Sequence, residues 1–291
     1  MKCSLNQLYQ SLGVTKQAVH GMIRRHCVVQ DEELQLLRLV LDIRSDHPGM
    51  GVRDLYHLLQ PEHMGRDAFE AWCKCKELQI KRKPNFRKTT DSNGVKRFEN
   101  LLERIEINDL NQAWQSDITY FQCGSRFYFI TFIIDSFSRR IIGHHTSKRL
   151  TTEQTTLPAL RMALRLRKTK QYDKLIFHSD GGGQYYDHHF LELTKRYGIK
   201  NSMCEYAWQN GKAERVNGII KNNYLNYRSI NSFEEMVREV DRAVKAYNQT
   251  KPHKALQRMS PVTFENKLLG LPAVNSGKLR PNSSLAEVYH N

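Results

Sequence analysis

The sequence predicts an α/β protein in which a mixed β-sheet core follows a helical N-terminal region. Two observations carry this. Up to about residue 80 the apolar residues recur at helical spacing, whereas from residue 113 they gather into runs rich in aromatic and β-branched side chains. Past that switch the order is strand, strand, strand, helix, strand, helix, strand, helix, which describes three antiparallel strands feeding βαβ crossovers.

Taken in order, residues 4–26 place Leu5, Leu8 and Tyr9 at helical spacing, and Leu12-Gly13-Val14 makes a tight break. Thr15 is the expected N-cap of a second helix with Val19, Met22 and Ile23 as its apolar stripe. A short helix, a glycine turn and a second helix bearing Arg24 and Arg25 form a helix-turn-helix pattern. The basic pair favours DNA contact over a plain αα-hairpin. Residues 31–80 supply three more helical segments, DEELQLLRLVLDIRSDH, GVRDLYHLLQ and GRDAFEAWCKCKEL, with a break at His47-Pro48-Gly49-Met50-Gly51 between the first two. They read as a second small module of the same kind, so residues 1–80 are expected to hold the DNA-binding modules.

Lys81, Arg82 and Lys83 open a basic and then polar stretch with no apolar period. It reads as a linker over residues 81–110 that lies on phosphates, and a solvated hinge is compatible with that role. The segment from residue 97 adds a short amphipathic piece, RFENLLERIE.

Residues 111–265 hold the sheet domain. Ala113–Cys123 and Arg126–Asp135 are strands joined by a tight Gly124-Ser125 hairpin, and residues 140–146 are a third strand. Residues 151–168 form a helix with Pro158 in its first turns. A short buried strand at 174–180, a helix at 187–198 closed by Gly198, a strand at Lys200–Met203 and helices at 210–226 and 232–248 complete the series. This is the element order of the ribonuclease H-like fold, which by itself assigns no activity. Residues 266–291 are expected to form a partly ordered tail.

Composition narrows the partners. The 45 basic side chains outnumber the 30 acidic ones, a formal charge of +15 that favours a polyanion, and nucleic acid is the commonest. No apolar run approaches the roughly 20 residues of a membrane span, and the N-terminus lacks the basic-then-apolar order of a secretory signal. Six scattered cysteines suit a reducing compartment. Cys73 and Cys75 are spaced C-x-C without a second pair, and the nearby His20 and His26 do not turn this into a zinc site.

Three acids stand where such a sheet converges. Asp117 lies inside the apolar strand Trp114-Gln115-Ser116-Asp117-Ile118-Thr119-Tyr120, where an unpaired carboxylate is costly. Asp180 ends a strand and is followed by Gly181-Gly182-Gly183, and strand carboxyl ends are where open α/β sheets bind ligands. Glu214 opens a helix whose face continues through Asn217, Gly218 and Lys221. Phosphodiester chemistry needs an activated attacking oxygen and a stabilised departing one, and two Mg²⁺ ions (or Mn²⁺) roughly 4 Å apart supply both. Asp117 would bridge the ions, with Asp180 and Glu214 each holding one. Asp135 also ends a strand, but it leads into a turn and is expected to cap it.

At these residues the chain resembles the DDE transposases of the insertion-sequence-three group, which are related to retroviral integrases. The matching stretches are WQSDITY, FIIDSFSRRIIG, HSDGGGQYY, NGKAERVNGIIKNNYL and YNQTKPHKAL followed by Ser260-Pro261, in order across the sheet domain, and DHPGMGVRDLY upstream is similar to that group's second helix-turn-helix. The resemblance implies a ribonuclease H-like core that cleaves and transfers strands at the ends of a mobile element, with Asp117, Asp180 and Glu214 as its three acids. It implies double-stranded DNA as partner, a homo-oligomer assembled on it, and a cytoplasmic, nucleoid-associated location. Here 33 residues intervene between Asp180 and Glu214, slightly fewer than the group's usual spacing, and the difference falls in the loop 204–210. The His2Cys2 zinc module of related integrases has no match.

Further DNA contacts are expected from Lys221, Arg139, Arg140 and Gln184. Tyr185 is open between nucleotide contact and core, and His253 is read as packing. A hydrolytic nuclease on the same fold and a non-catalytic DNA-binding descendant are the competing readings. The N-terminal modules weigh against the first, and the intact acids against the second.

Overall fold

The computed structural model describes residues 4–80 and 97–272, so Lys81, Arg82 and Lys83 lie outside the described residues. In the N-terminal region, α1 (Leu5–Ser11) starts with a Ser4–Gln7 capping box. Gly13, at φ 65°, then turns the chain into α2 (Lys16–Asp46), capped by the Thr15 hydroxyl. The sequence suggested that one module ends near residue 26 and another begins at 31. Instead α2 runs unbroken for 31 residues, because no proline and no glycine beyond Gly21 interrupts it.

Two shorter helices, α3 (Val52–Leu59) and α4 (Arg66–Cys75), fold back on the end of α2. Val40, Ile43, Met50, Leu55, Phe69, Trp72 and Cys73 form their common core. Cys73 is therefore a buried packing residue while Cys75 is exposed, and no cluster of three metal-ligating side chains among the described residues includes either. The α1 helix buries nothing, and only Val40 and Ile43 of α2 are buried.

The sheet domain contains β1 (Ala113–Cys123), β2 (Arg126–Asp135), β3 (Ile141–Ser147), β4 (Ile176–Ser179) and β5 (Lys200–Met203) in the spatial order β3-β2-β1-β4-β5. The first three pair antiparallel, while β4 and β5 add in parallel. Between and after them come α5 (Thr156–Arg167), α6 (His188–Arg196), α7 (Gly211–Asn223), α8 (Phe233–Gln249) and α9 (Pro261–Leu268). The result is a ribonuclease H-like α/β/α arrangement, with α9 running past residue 265.

Side-chain alternation along β2 divides the core in two. Ile130, Phe132 and Ile134 face Val216 and Ile220 of α7 and Val240 and Tyr247 of α8. Ile133 turns the other way, joining Trp114, Ile142, Leu160, Phe177 and Phe190 beneath α5 and α6. Gly143 makes the α5 side possible, since a Cβ there would collide with the Ala159 carbonyl. On β1, Trp114, Ser116 and Ile118 belong to the α5–α6 side, and Asp117 and Thr119 face α7.

The domain is closed by a buried ion network. Arg167 of α5 bonds Asp135 Oδ2 at 3.0 Å and Glu265 Oε1 at 2.6 Å. Asp135 also accepts from the backbone N–H groups of Asn111, Phe137 and Ser138. It is the turn cap that its position suggested.

Candidate active site on the α7 face of the sheet

The β1–β4 register pairs Trp114 with Phe177 and Gln115 with His178. Asp180 follows directly on the end of β4, close enough for its charge to act on Asp117. The third acid comes from α7, which lies over β1 and is fastened there at three levels. Asn210 Nδ2 donates to Ser116 O at 2.9 Å, Asn217 Nδ2 to Asp117 Oδ2 at 2.7 Å, and Lys221 Nζ to Thr119 Oγ1 at 3.3 Å. Spacings of three and four residues put Asn217 and Lys221 on the helix face that begins with Glu214. Glu214 sits exposed in the first turn of α7, where the helix N-terminus favours a negative charge.

From below, Ser116 Oγ donates to Phe132 O and lies 2.9 Å from the Tyr185 hydroxyl. Tyr185 is thus core, supporting the strand that carries Asp117. Asp180 Oδ1 accepts from Gly182 N–H at 3.1 Å, and the Tyr186 hydroxyl donates to Asp180 O at 2.7 Å.

The electrostatics of the cluster are unbalanced. Burial pushes the Asp117 carboxyl up to about 7, and the neighbouring Asp180 and Glu214 charges push the same way against hydrogen bonds from Ile118 and Asn217. Burial also raises Asp180. No ion pair to any of the three acids occurs among the described residues. Lys221 is the nearest cationic influence; burial lowers its pKa while Asp117 raises it. Its ammonium lies 5.1 Å from the Tyr120 ring centroid, on the rim of the site.

The structure separates the other residues expected to meet DNA. Arg24 and Arg25 are exposed on α2. Gln184 is half-buried and donates to Leu150 O at 3.3 Å. Arg140 is drawn inward, its Nη1 bonding Glu265 Oε2 at 2.5 Å. Arg139 adopts φ 62° and is partly buried, which lowers its pKa. His253 packs edge-on against Tyr247 and burial holds it neutral, at about 3.

Two features escaped the sequence reading. Asn210 ties the loop before α7 to β1, and in the same loop Tyr206 and Trp208 stack at 6.0 Å, 59% and 73% exposed. The tryptophan stands outside any apolar period, which was the available signal. A separate cluster, Asp187-His188-His189, is a sequence-local cap on α6.

Comparison with known proteins follows the same boundaries. Integrase core domain models match residues 108–207 and 196–261. An uncharacterized 31 kDa protein of insertion element IS600 from Shigella sonnei is 28% identical over 271 residues, covering 89% of this chain and 97% of that one. Transposase InsF of IS3fB from Escherichia coli is 30% identical over 201 residues, covering 67% and 69%. The match to InsF of IS3A is 32% identical and spans 62% of that protein and 61% of this chain. Among solved structures, the catalytic core domain of HTLV-2 integrase in complex with magnesium is 23% identical over 53% of this chain and 95% of its own, with a TM-score of 0.43.

Proposed function

Because this chain belongs to the insertion-sequence transposases with an integrase core, enzymes that cleave and transfer DNA strands, we propose that Asp117, Asp180 and Glu214 hold the divalent ions of that reaction. The observation that carries this reading is the gathering of three carboxylates, from β1, from the residue after β4 and from α7, with no ion-paired cation among the described residues. The donor set fits the ions. It consists of carboxylate oxygens, which suit Mg²⁺ or Mn²⁺, and an excess of buried negative charge that such ions offset.

Bound divalent cations supply Lewis acidity, activating the attacking oxygen and offsetting charge on the departing one. The protein's own groups do the rest. Asn217 pins Asp117 Oδ2 and so sets the orientation of that carboxyl. The Gly182 N–H holds Asp180 Oδ1 in a tight turn. Lys221, anchored on Thr119 one residue pair further along β1, presents a positive charge for the phosphate next to the reacting one. Tyr185 and Ser116 stiffen the strand beneath. The exposed Arg24 and Arg25 on α2 are placed to bind element ends, with copies of the chain assembling on the same DNA.

The test is joining of a duplex bearing the element's terminal repeat to plasmid DNA in Mg²⁺. Losing one carboxylate ligand forfeits several kcal/mol of transition-state stabilisation, so Asp180→Asn should slow joining by roughly 10³-fold or more while leaving duplex binding intact. Activity within tenfold of the unsubstituted protein would reject the assignment.

A further inference from the structure

The corner between α2 and α3 reaches across to the sheet domain and seats on the last turn of α7. Gly49 N–H donates to Asn223 O at 2.8 Å, satisfying a helix-end carbonyl that would otherwise have no partner within α7. The approach leaves no room for a side chain, since a Cβ on Gly49 would stand 2.5 Å from Asn223 Cα and 2.6 Å from its oxygen. Two residues earlier, His47 is only 3% exposed. Its Nδ1 lies 2.9 Å from the Tyr224 hydroxyl and its Nε2 2.7 Å from Thr250 Oγ1, so one ring ties the end of α7 to the end of α8.

Charged contacts flank the corner on both sides. Arg242 donates to Ser45 O at 2.9 Å and pairs with Asp46 at 3.0 Å, and Arg228 also donates to Ser45 O. Asp54 of α3 meets Arg258 at 3.1 Å and Lys251 at 4.0 Å.

We propose that the His47-Pro48-Gly49 corner is a positioning device for α7, through which the N-terminal helical module sets the placement of Glu214. The proposal rests on the reading of Glu214 as a metal-holding residue. The helix behaves as a short rod of 13 residues, with Glu214 in its first turn, Asn217 and Lys221 behind it, and the corner at its far end. Holding that end fixes how far α7 slides and turns over β1, and so where Glu214 stands relative to Asp117 and Asp180. The contact is made by directional hydrogen bonds and one glycine-sized gap rather than by an apolar patch, and bonds of that kind specify a single placement. The corner also touches the sheet domain from the module that exposes Arg24 and Arg25, so the same body that is placed to grip DNA holds the catalytic helix in register.

Two substitutions in the full-length protein test this. Gly49→Ala forces α7 back by about 1 Å to restore contact distance, and a shift of that size at a reacting centre costs on the order of 10²-fold in rate. Tyr224→Phe removes only the hydroxyl facing His47, and losing one such hydrogen bond should lower the rate about 5-fold with little risk to folding. For each, three quantities are measured: the joining rate at saturating terminal-repeat duplex, the affinity for that duplex, and Mn²⁺ binding by isothermal titration calorimetry without DNA.

The proposal expects slower joining and weaker Mn²⁺ binding in both variants, with duplex affinity unchanged and Gly49→Ala the more affected. Normal Mn²⁺ binding and normal rate in a folded Tyr224→Phe protein overturn it, whatever becomes of Gly49→Ala. A parallel fall of duplex affinity and rate overturns it too, because it would mean that the corner merely keeps the module folded. Failure of the unsubstituted protein to bind Mn²⁺ would instead remove the carboxylate reading on which the proposal stands.

Discussion

Replacing Asp117 with asparagine should make the metal-free protein more stable. In the folded chain burial, reinforced by Asp180 and Glu214, pushes the Asp117 carboxyl from an ordinary 3.8 up to about 7. Between those values the native state binds more protons at this position than the unfolded state, so stability falls as pH rises through the window. The full displacement of roughly 3 units is worth about 4 kcal/mol once the group is ionised in both states, and about 2–3 kcal/mol of it accrues between pH 5 and pH 8. Asparagine keeps the shape and still offers an oxygen to the Asn217 amide, but it carries no charge to bury.

Thermal unfolding in EDTA measures this. For a domain of this size each kcal/mol moves Tm by about 2–4 °C, so Asp117→Asn should melt up to about 8–16 °C higher at pH 8. At pH 5 the advantage should shrink to about 1–2 kcal/mol, because the wild-type carboxyl is then protonated in the native state. Adding Mn²⁺ at pH 8 should raise the melting point of the wild type and leave the variant nearly unmoved, since only the wild type presents the full carboxylate set. A variant no more stable than wild type at pH 8, or an advantage that does not grow with pH, would refute the electrostatic reasoning.

Two other outcomes follow from the same structure. Arg167→Met strips the guanidinium bonded to Asp135 from a buried network that also holds Glu265, and should cost about 3–5 kcal/mol in urea unfolding at neutral pH. The Arg24→Ala, Arg25→Ala double variant should weaken duplex binding and flatten the slope of log affinity against log salt by about 2, measured by fluorescence anisotropy between 50 and 200 mM salt.

Much of the sheet was legible because its strands announce themselves. Ala113–Cys123, Arg126–Asp135 and Lys200–Met203 occur with the bounds the sequence suggested, the first two because their aromatic and β-branched runs meet at Gly124-Ser125. The strand at 174–180 was read too long. Asp180 leaves the sheet to accept from Gly182, which local composition does not reveal. The helix break expected between residues 26 and 31 is absent for a different reason. Motif spacing suggested a boundary near residue 30, but no residue there disfavours helix, and α2 continues. The pairing of Arg140 was not legible because its partner Glu265 lies 125 residues further on, beyond any local pattern. Likewise nothing near Gly49 in the sequence discloses Asn223; only the close approach of two backbones explains why a glycine stands there.

The contrast between Asp117 and Asp135 shows how much the sequence could decide about the site. Both acids belong to neighbouring central strands, and both look costly to bury. Asp135 is the more deeply buried and burial raises its carboxyl too, yet three backbone N–H groups and the Arg167 guanidinium all act to lower it. Among the described residues Asp117 receives hydrogen bonds from the Ile118 backbone and the Asn217 amide, while Asp180 and Glu214 add charge of its own sign. A fold that supplies four donors to one carboxylate and surrounds the other with like charge is not short of means to neutralise an acid. The second cluster has to be neutralised by a proton, as the raised Asp117 carboxyl allows, or by a cation, because a charge buried without a partner is among the most destabilising features a chain can carry. Residue type alone does not separate the two aspartates; the donors around each one do. That accounting supports Asp117, and not Asp135, as a member of the metal-holding set.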